Sequence, residues 1–293
     1  SKTVSPVRKG TEFTIPFTMS FNDKLWVAGI GNSNYNALYV INKDFNEERN
    51  FKNSNYSNFS YSDIYSSKAF SEEVWLGSEG SVIIYNQRKD FFRTLGYDKG
   101  IPIERIEFIE SLDNKVYIGS RNDLIVIDKS SKKIIDSKIS DLIKKNNLFI
   151  DDLKVIGKII FLISSGKVYQ FNSNEQININ QYNNFSLDQF KPYAVYGNNN
   201  SKYFVSERGI VNNINDKVIP SSLYFNYRVS DIVLADNYMY IGTTGGLAIY
   251  DIKENQLHNF FDFTFLKNIF DMEQINEFLV LLTSSGLVKL KTS

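Results

Sequence analysis

The sequence predicts an all-β chain, folded over residues 1–293 as a single seven-bladed β-propeller of four-stranded antiparallel blades. Two observations point there. One strand-turn-strand unit recurs seven times at near-constant spacing, and the composition, 42% hydrophobic and 15% aromatic, is rich in the Phe and Tyr that favour strands. A third observation concerns the ends: the last copy stops after its third strand, while an unassigned segment, residues 3–8, precedes the first copy.

In each unit an apolar strand ends in an Asp or Asn turn. A second strand opens on an aromatic or aliphatic residue and closes on Gly, Ser or Thr. A glycine turn then leads into a third, alternating strand. The clearest copies are Val74-Trp75-Leu76-Gly77-Ser78 with Gly80 and Val82-Ile83-Ile84-Tyr85, and Met239-Tyr240-Ile241-Gly242-Thr243 with Gly246-Leu247-Ala248-Ile249-Tyr250. The aligned second-strand positions 26, 75, 117, 161, 203, 240 and 280 are 49, 42, 44, 42, 37 and 40 residues apart, the length of a propeller blade. A sandwich of stacked hairpins has no reason to repeat one motif in this way.

Each part of the unit has a physical task. The first strand, for example residues 103–109 or 229–234, is expected innermost, with Asp113-Asn114 and Asp236-Asn237 reversing the chain into the second. Small residues closing the second strand suit the place where blades crowd, and Trp26, Trp75, Tyr117, Phe161 and Tyr203 supply bulk between blades. Gly80, Gly166, Gly209, Gly246 and Gly286 fall where a hairpin needs positive φ. The run Gly242-Thr243-Thr244-Gly245-Gly246 has no following Lys and no helix to open, so it is read as a turn and not a phosphate loop. Residues 3–8 are expected to pair with the strand at 286–290, closing the ring without a broken edge.

Composition excludes several classes of function. Lys plus Arg and Asp plus Glu both number 33, so no net field is available to hold a nucleic acid. Absent cysteine removes disulfides and thiolate metal sites, a single histidine removes histidine-based zinc, and no segment matches a calcium loop; no cofactor is expected. No apolar run spans a bilayer, and the start at Ser1-Lys2-Thr3 reads as a trimmed fragment. Asp151-Asp152, Glu72-Glu73 and Asp231 are candidate acid pairs for a hydrolase, but neighbours in sequence diverge on a strand, so they are read as solvated turn and strand-start residues.

Aligning the blades yields candidate ligand-binding residues. Twelve positions before the aligned residue stand Asp63, Arg105, Lys191 and Arg228; four or five positions after it stand Arg121 and Arg208. Both places are expected on one face, so these groups would ring the channel mouth, with Asp63 the one acid, and favour a carboxylate or sulfate. Loops expected on that face add Tyr56, Phe59, Tyr61, Tyr97, Tyr224, Phe225 and Tyr227. The long first repeat adds Asn34 and Tyr35. Flat aromatic faces beside amides and arginines suit a sugar.

The units at residues 73–85, 115–128 and 238–251, with Gly100-Ile101-Pro102 before Ile106, resemble the two-component regulator propeller repeat, whose hallmark is a Leu-Trp-Ile-Gly-Thr-like strand and a Gly-Leu-x-x-Tyr-Asp strand. The spacing extends the resemblance over the whole chain; the sharp motif fits about half the blades. It implies a periplasmic sensor portion of a bacterial hybrid sensor kinase, or a stand-alone relative, often tuned to polysaccharide fragments. The pattern also resembles streptogramin lyase, which depends on a catalytic histidine, whereas the single His258 here falls in a polar outer strand. The leading expectation is a non-enzymatic extracytoplasmic module binding an oligosaccharide or small anionic ligand. A protein-interaction scaffold is the alternative, and a lyase or hydrolase stands third.

Overall fold

The computed structural model describes residues 4–6, 16–22, 24–29, 38–51, 63–70, 72–101, 104–176, 190–214 and 217–292. They form a seven-bladed β-propeller. After β1 (Val4–Pro6), blade one is β2 (Pro16–Asn22), β3 (Lys24–Gly29), β4 (Leu38–Ile41) and β5 (Glu47–Phe51), and blade two is β6 (Ile64–Phe70), β7 (Glu73–Ser78), β8 (Ser81–Asn86) and β9 (Phe91–Gly96). Blade three is β10 (Phe108–Leu112), β11 (Lys115–Gly119), β12 (Leu124–Asp128) and β13 (Ile134–Ile135), followed by helix α1 (Lys138–Asn146). Blade four is β14 (Asp152–Ile156), β15 (Ile159–Ser164) and β16 (Lys167–Phe171), three strands among the described residues. Blade five is β17 (Ala194–Gly197), β18 (Lys202–Ser206), β19 (Gly209–Asn212) and β20 (Val218–Pro220). Blade six is β21 (Val229–Ala235), β22 (Tyr238–Thr243), β23 (Leu247–Asp251) and β24 (Gln256–Phe261), and blade seven is β25 (Ile269–Ile275), β26 (Phe278–Thr283) and β27 (Gly286–Lys291) with β1 at its edge.

The N-terminal closure is antiparallel, with Val4, Ser5 and Pro6 opposite Leu290, Lys289 and Val288. The tight reversals fall at the expected turns: Asp113 and Asp236 adopt φ of 55° and 53°, and all five hairpin glycines have positive φ. One boundary differs from the sequence reading. The inner strand of blade three runs Phe108–Leu112, preceded by an isolated bridge of Arg105 to Glu79, and the expected start at residue 103 lies outside the described residues.

Chain contacts separate two compact units, residues 1–106 with 227–293, carrying blades one, two, six and seven, and residues 107–226, carrying blades three to five. In the first unit Trp26, Leu76, Ile83 and Tyr85 pack blade one on blade two. Leu25, Tyr39, Val280 and Leu287 join blades one and seven, and Tyr240, Leu247, Met272 and Leu281 join seven and six. In the second unit Tyr117, Val126 and Leu162 lie between blades three and four, and Phe161, Phe204 and Val211 between four and five. Trp26, Trp75, Tyr117, Phe161, Tyr203 and Tyr240 are all at most 4% exposed, and Trp26, Tyr117, Phe161 and Tyr240 belong to the interblade clusters. Crowding at the end of the second strand is sharpest at Gly77. A Cβ there would lie 2.3 Å from Ser66 Oγ and 2.6 Å from the Ile106 carbonyl oxygen.

Helix α1 was not legible as such in the repeat. Its local signals are a Ser137 N-cap, whose side chain accepts from the Ser140 N–H, and Ile139 and Ile143, one turn apart and buried. No helix among the described residues is long and apolar enough to cross a membrane.

Candidate functional site

At one end of the strands, among the described residues, segments that connect one blade to the next meet turns between second and third strands, and backbone hydrogen bonds tie the two together. In the first unit the Ile106 N–H donates to Ser78 O (3.1 Å), Gly80 N–H to Glu104 O (3.1 Å), Thr244 N–H to Arg228 O (3.2 Å) and Asn268 N–H to Thr244 O (3.0 Å). In the second unit the Ile150 N–H donates to Arg121 O (2.7 Å) and Ser221 N–H to Arg208 O (3.1 Å). The antiparallel strand order of each blade puts inner-strand starts and these turns at the same end, and the hydrogen bonds satisfy their terminal backbone groups.

A second tie is made by side chains nine positions before the aligned aromatic. Ser66 Oγ donates to the Ile106 carbonyl (2.7 Å); Asp152 Oδ2 accepts the Val195 N–H (2.9 Å); Asp231 Oδ2 accepts the Met272 N–H (2.7 Å). In β6 and β21 the register shifts between Ile64 and Ser66 and between Val229 and Asp231, a bulge that aims the following side chain at the next blade. This corrects the reading of Asp152 and Asp231 as solvated strand-start residues: both clasp neighbouring blades, and Asp152 is only 7% exposed.

Burial pushes the Asp152 carboxyl up from 3.8 to about 6, with Glu110 adding to the rise and Lys154 and the Val195 N–H opposing it. The folded state therefore holds the proton more tightly than the unfolded chain. The stability this proton confers is complete below pH 3.8 and is lost as pH rises through about 6, a loss of about 3 kcal/mol. Asp152→Asn keeps an oxygen for Val195 and removes the charge. Its melting temperature should exceed that of wild type by about 5 °C at pH 8 and converge with it near pH 4. A difference that does not change with pH would refute the buried-charge account.

The expected ligand residues fall into local groups. In the first unit, Arg105 is exposed, with its guanidinium 4.8 Å from the centre of the Tyr65 ring, and Tyr65 donates to Asp63 Oδ2 (3.3 Å). Glu79 bridges Arg105 through the backbone, so Asp63, Tyr65, Glu79 and Arg105 share one corner. Burial raises the Tyr65 phenol, Asp63 and Glu79 raise it further, and Arg105 opposes them. Arg228 is exposed at the start of β21 next to Tyr227, which is 42% exposed and stacked on Phe260 with 12° between planes. In the second unit, Arg121 is exposed and donates from Nε to Glu107 Oε2 (2.8 Å), lying 5.5 Å over Phe149. Lys191 is exposed with φ of 51°, and Arg208 is exposed in the turn after β18. Asn34, Tyr35 and Tyr56, with Phe59 and Tyr61, lie outside the described residues.

Two expectations are corrected. Tyr224 is not a surface aromatic: it is 1% exposed, its hydroxyl has no hydrogen-bond partner among the described residues, and burial, then Tyr193 and Glu207, raises its phenol. The short 3-10 turn Ser221–Tyr224 folds the ring inward, which an irregular loop in the sequence does not announce. The basic groups are also not accompanied by Asp63 alone, because Glu79 and Glu107 stand beside Arg105 and Arg121. Tyr65 and Glu79 were missed for one reason: each is placed by an irregularity, a bulge and an isolated bridge, that a period-two strand pattern does not encode. His258 is exposed on β24 against the Tyr238 ring (5.4 Å). Among the described residues no three His, Cys, Asp or Glu side chains gather as a metal site.

No family model matches this sequence, and neither does any curated protein. Solved structures match it as folds. The extracellular domain of BT4673 from B. thetaiotaomicron is described as part of a one component system in one structure and of a hybrid two component system in another. They superpose with TM-scores of 0.72 and 0.67 at 15% identity, over 99% of this chain and 40% and 42% of that one. The chain thus spans about two fifths of that domain. The Cps50 (Swd1) β-propeller domain of Myceliophteria thermophila matches over 100% of both chains, with a TM-score of 0.70 and 10% identity. What this chain shares with these proteins is the propeller fold.

Proposed function

We propose that the chain is a non-enzymatic recognition module, an extracytoplasmic sensor domain, which takes an oligosaccharide or small anionic ligand at the end of the blades where the inner strands begin. The observation that carries this reading is the Asp63-Tyr65-Arg105 corner, where the Tyr65 ring has the Arg105 guanidinium 4.8 Å from its centre and its hydroxyl donates to the Asp63 carboxylate (3.3 Å). A polyhydroxyl ligand uses all three: hydroxyls donate to Asp63, accept from Arg105, and the ring offers a flat apolar face. The mixed charge, with Glu79 beside Arg105, favours a sugar over a simple anion. The fold likeness to the extracellular domain of BT4673 supports the sensor reading.

The test is glycan-array and thermal-shift screening of wild type against an Arg105→Ala/Arg228→Ala double variant. Both side chains are exposed, so the variant should melt within about 2 °C of wild type. The expected result is a ligand whose affinity falls at least about tenfold in the variant, as loss of charge-assisted hydrogen bonds requires. An equal response of the two proteins to every ligand found rejects this site.

A further inference from the structure

β9 is the outer strand of blade two and pairs with β8 along its whole length, from Phe91 opposite Asn86 to Gly96 opposite Ser81, with no shift in register. Its other side is a sheet edge. Alternate residues of an antiparallel strand turn their N–H and C=O groups away from the partner strand, so such an edge is a template for one more strand. Among the described residues no strand lies beside β9 on that side.

The other outer edges of the first unit are protected. The pairing of β5 with β4 skips Glu48, and that of β24 with β23 skips His258, so both edges are bulged. β1 has three residues and ends in Pro6. In the second unit β13 has two residues, and β20 has three and ends in Pro220. Bulges, prolines and short strands all hinder edge pairing. β9, with six residues, has none of these devices.

The side chains on this edge define what fits it. Phe91 is 49% exposed, and Arg93, two positions on and therefore on the same face, is exposed as well. The Arg93 guanidinium and the Lys89 ammonium, in the preceding turn, have no partner among the described residues. The acids nearby are matched, Asp90 by Arg49 (2.6 Å) and Asp98 by Lys99 (3.2 Å). The edge thus offers an apolar ring followed by an uncompensated positive charge. A second copy of β9 would bring the same two cations and no free acid to meet them, so like charges oppose self-pairing.

We propose that the edge of β9 accepts an extended segment of a partner protein as a fifth strand of blade two, with an apolar residue beside Phe91 and, two positions away, a carboxylate beside Arg93. Backbone hydrogen bonds hold the segment and the alternate side chains select it. The surface is independent of the recognition corner, and it stands or falls without it.

The experiment titrates the full chain with a labelled peptide, Thr-Val-Thr-Glu-Thr-Val-Thr, whose pattern reads alike in either strand direction, and follows fluorescence anisotropy. The controls are the same peptide with Lys in place of Glu, its fully N-methylated form, which lacks N–H donors, and the Arg93→Glu protein. The expected result is saturable binding of the Glu peptide, at least about fivefold weaker binding of the Lys peptide, and none of the N-methylated form. Arg93→Glu, an exposed change whose melting curve should match wild type, reverses the preference toward the Lys peptide. Amide exchange in β9 slows on binding, and Arg105→Ala/Arg228→Ala binds the Glu peptide as wild type does. The proposal is overturned if the Glu peptide does not bind, if the Lys or N-methylated peptide binds as tightly, or if folded Arg93→Glu keeps the wild-type preference. A dimer of the chain that excludes the peptide would assign the edge to a second copy and overturn it equally.

Discussion

Replacing Glu175 by alanine is expected to destabilise the protein by about 3–5 kcal/mol, a fall of about 10 °C in melting temperature. Glu175 is 3% exposed and joins three parts of the second unit. Its Oε1 accepts from Lys115 Nζ (2.8 Å) and the Tyr117 hydroxyl (3.3 Å) on β11; its Oε2 accepts from Ser137 Oγ (2.8 Å) and the Lys138 N–H (2.8 Å) where α1 begins. Alanine would leave a buried phenol, a helix-terminal N–H and a half-buried ammonium without their acceptor.

Burial would raise the Glu175 carboxyl, but the hydrogen bonds from Lys115 and Ser137, the Lys115 charge and the Lys138 N–H outweigh it and hold the group below 4.5. The lowered value means that its contribution is present above pH 4.5 and disappears as pH falls below it. Urea unfolding of Glu175→Ala and Glu175→Gln at pH 7 and pH 4 checks this. Gln should retain part of the network and lie between Ala and wild type. A Glu175→Ala protein within 1 kcal/mol of wild type at pH 7 would falsify the linking role.

Deleting residues 1–10 should produce the second large effect. The three-residue pairing of β1 with β27 is lost, at about 1 kcal/mol per ladder hydrogen bond, together with the tether that holds blade seven closed from the far end of the chain. The edge of β27 then stands open as a template for another chain. The expected outcome is a melting temperature lower by about 5–10 °C, with dimers or larger species in size-exclusion chromatography at high concentration. An unchanged melting point in a monodisperse sample rejects the closure as a stabilising feature.

The candidate corner was legible only in part. Arg105 and Asp63 came from counting along the repeat, since a fixed offset from an aligned aromatic must land at a fixed place on the blade. Tyr65 and Glu79 did not, because a bulge and an isolated bridge place them. Tyr224 misled in the other direction: an aromatic in a polar connection looks like a surface residue until the 3-10 turn buries it. Asp152 and Asp231 read from sequence as solvated acids, since the sequence does not say which backbone N–H of the next blade each will meet.

Sequence alone determined the number of blades, the aromatic core between them, the turns and the closing strand. All of these depend on local periodicity, on positive-φ residues at hairpins and on apolar residues spaced to one face, which are properties written along the chain. Only the tertiary structure decided which polar groups become partners. The interblade clasps and the Glu175 junction join residues up to about 60 positions apart, and their protonation and energy come from burial. Burial is created when blades pack, so no single repeat contains it.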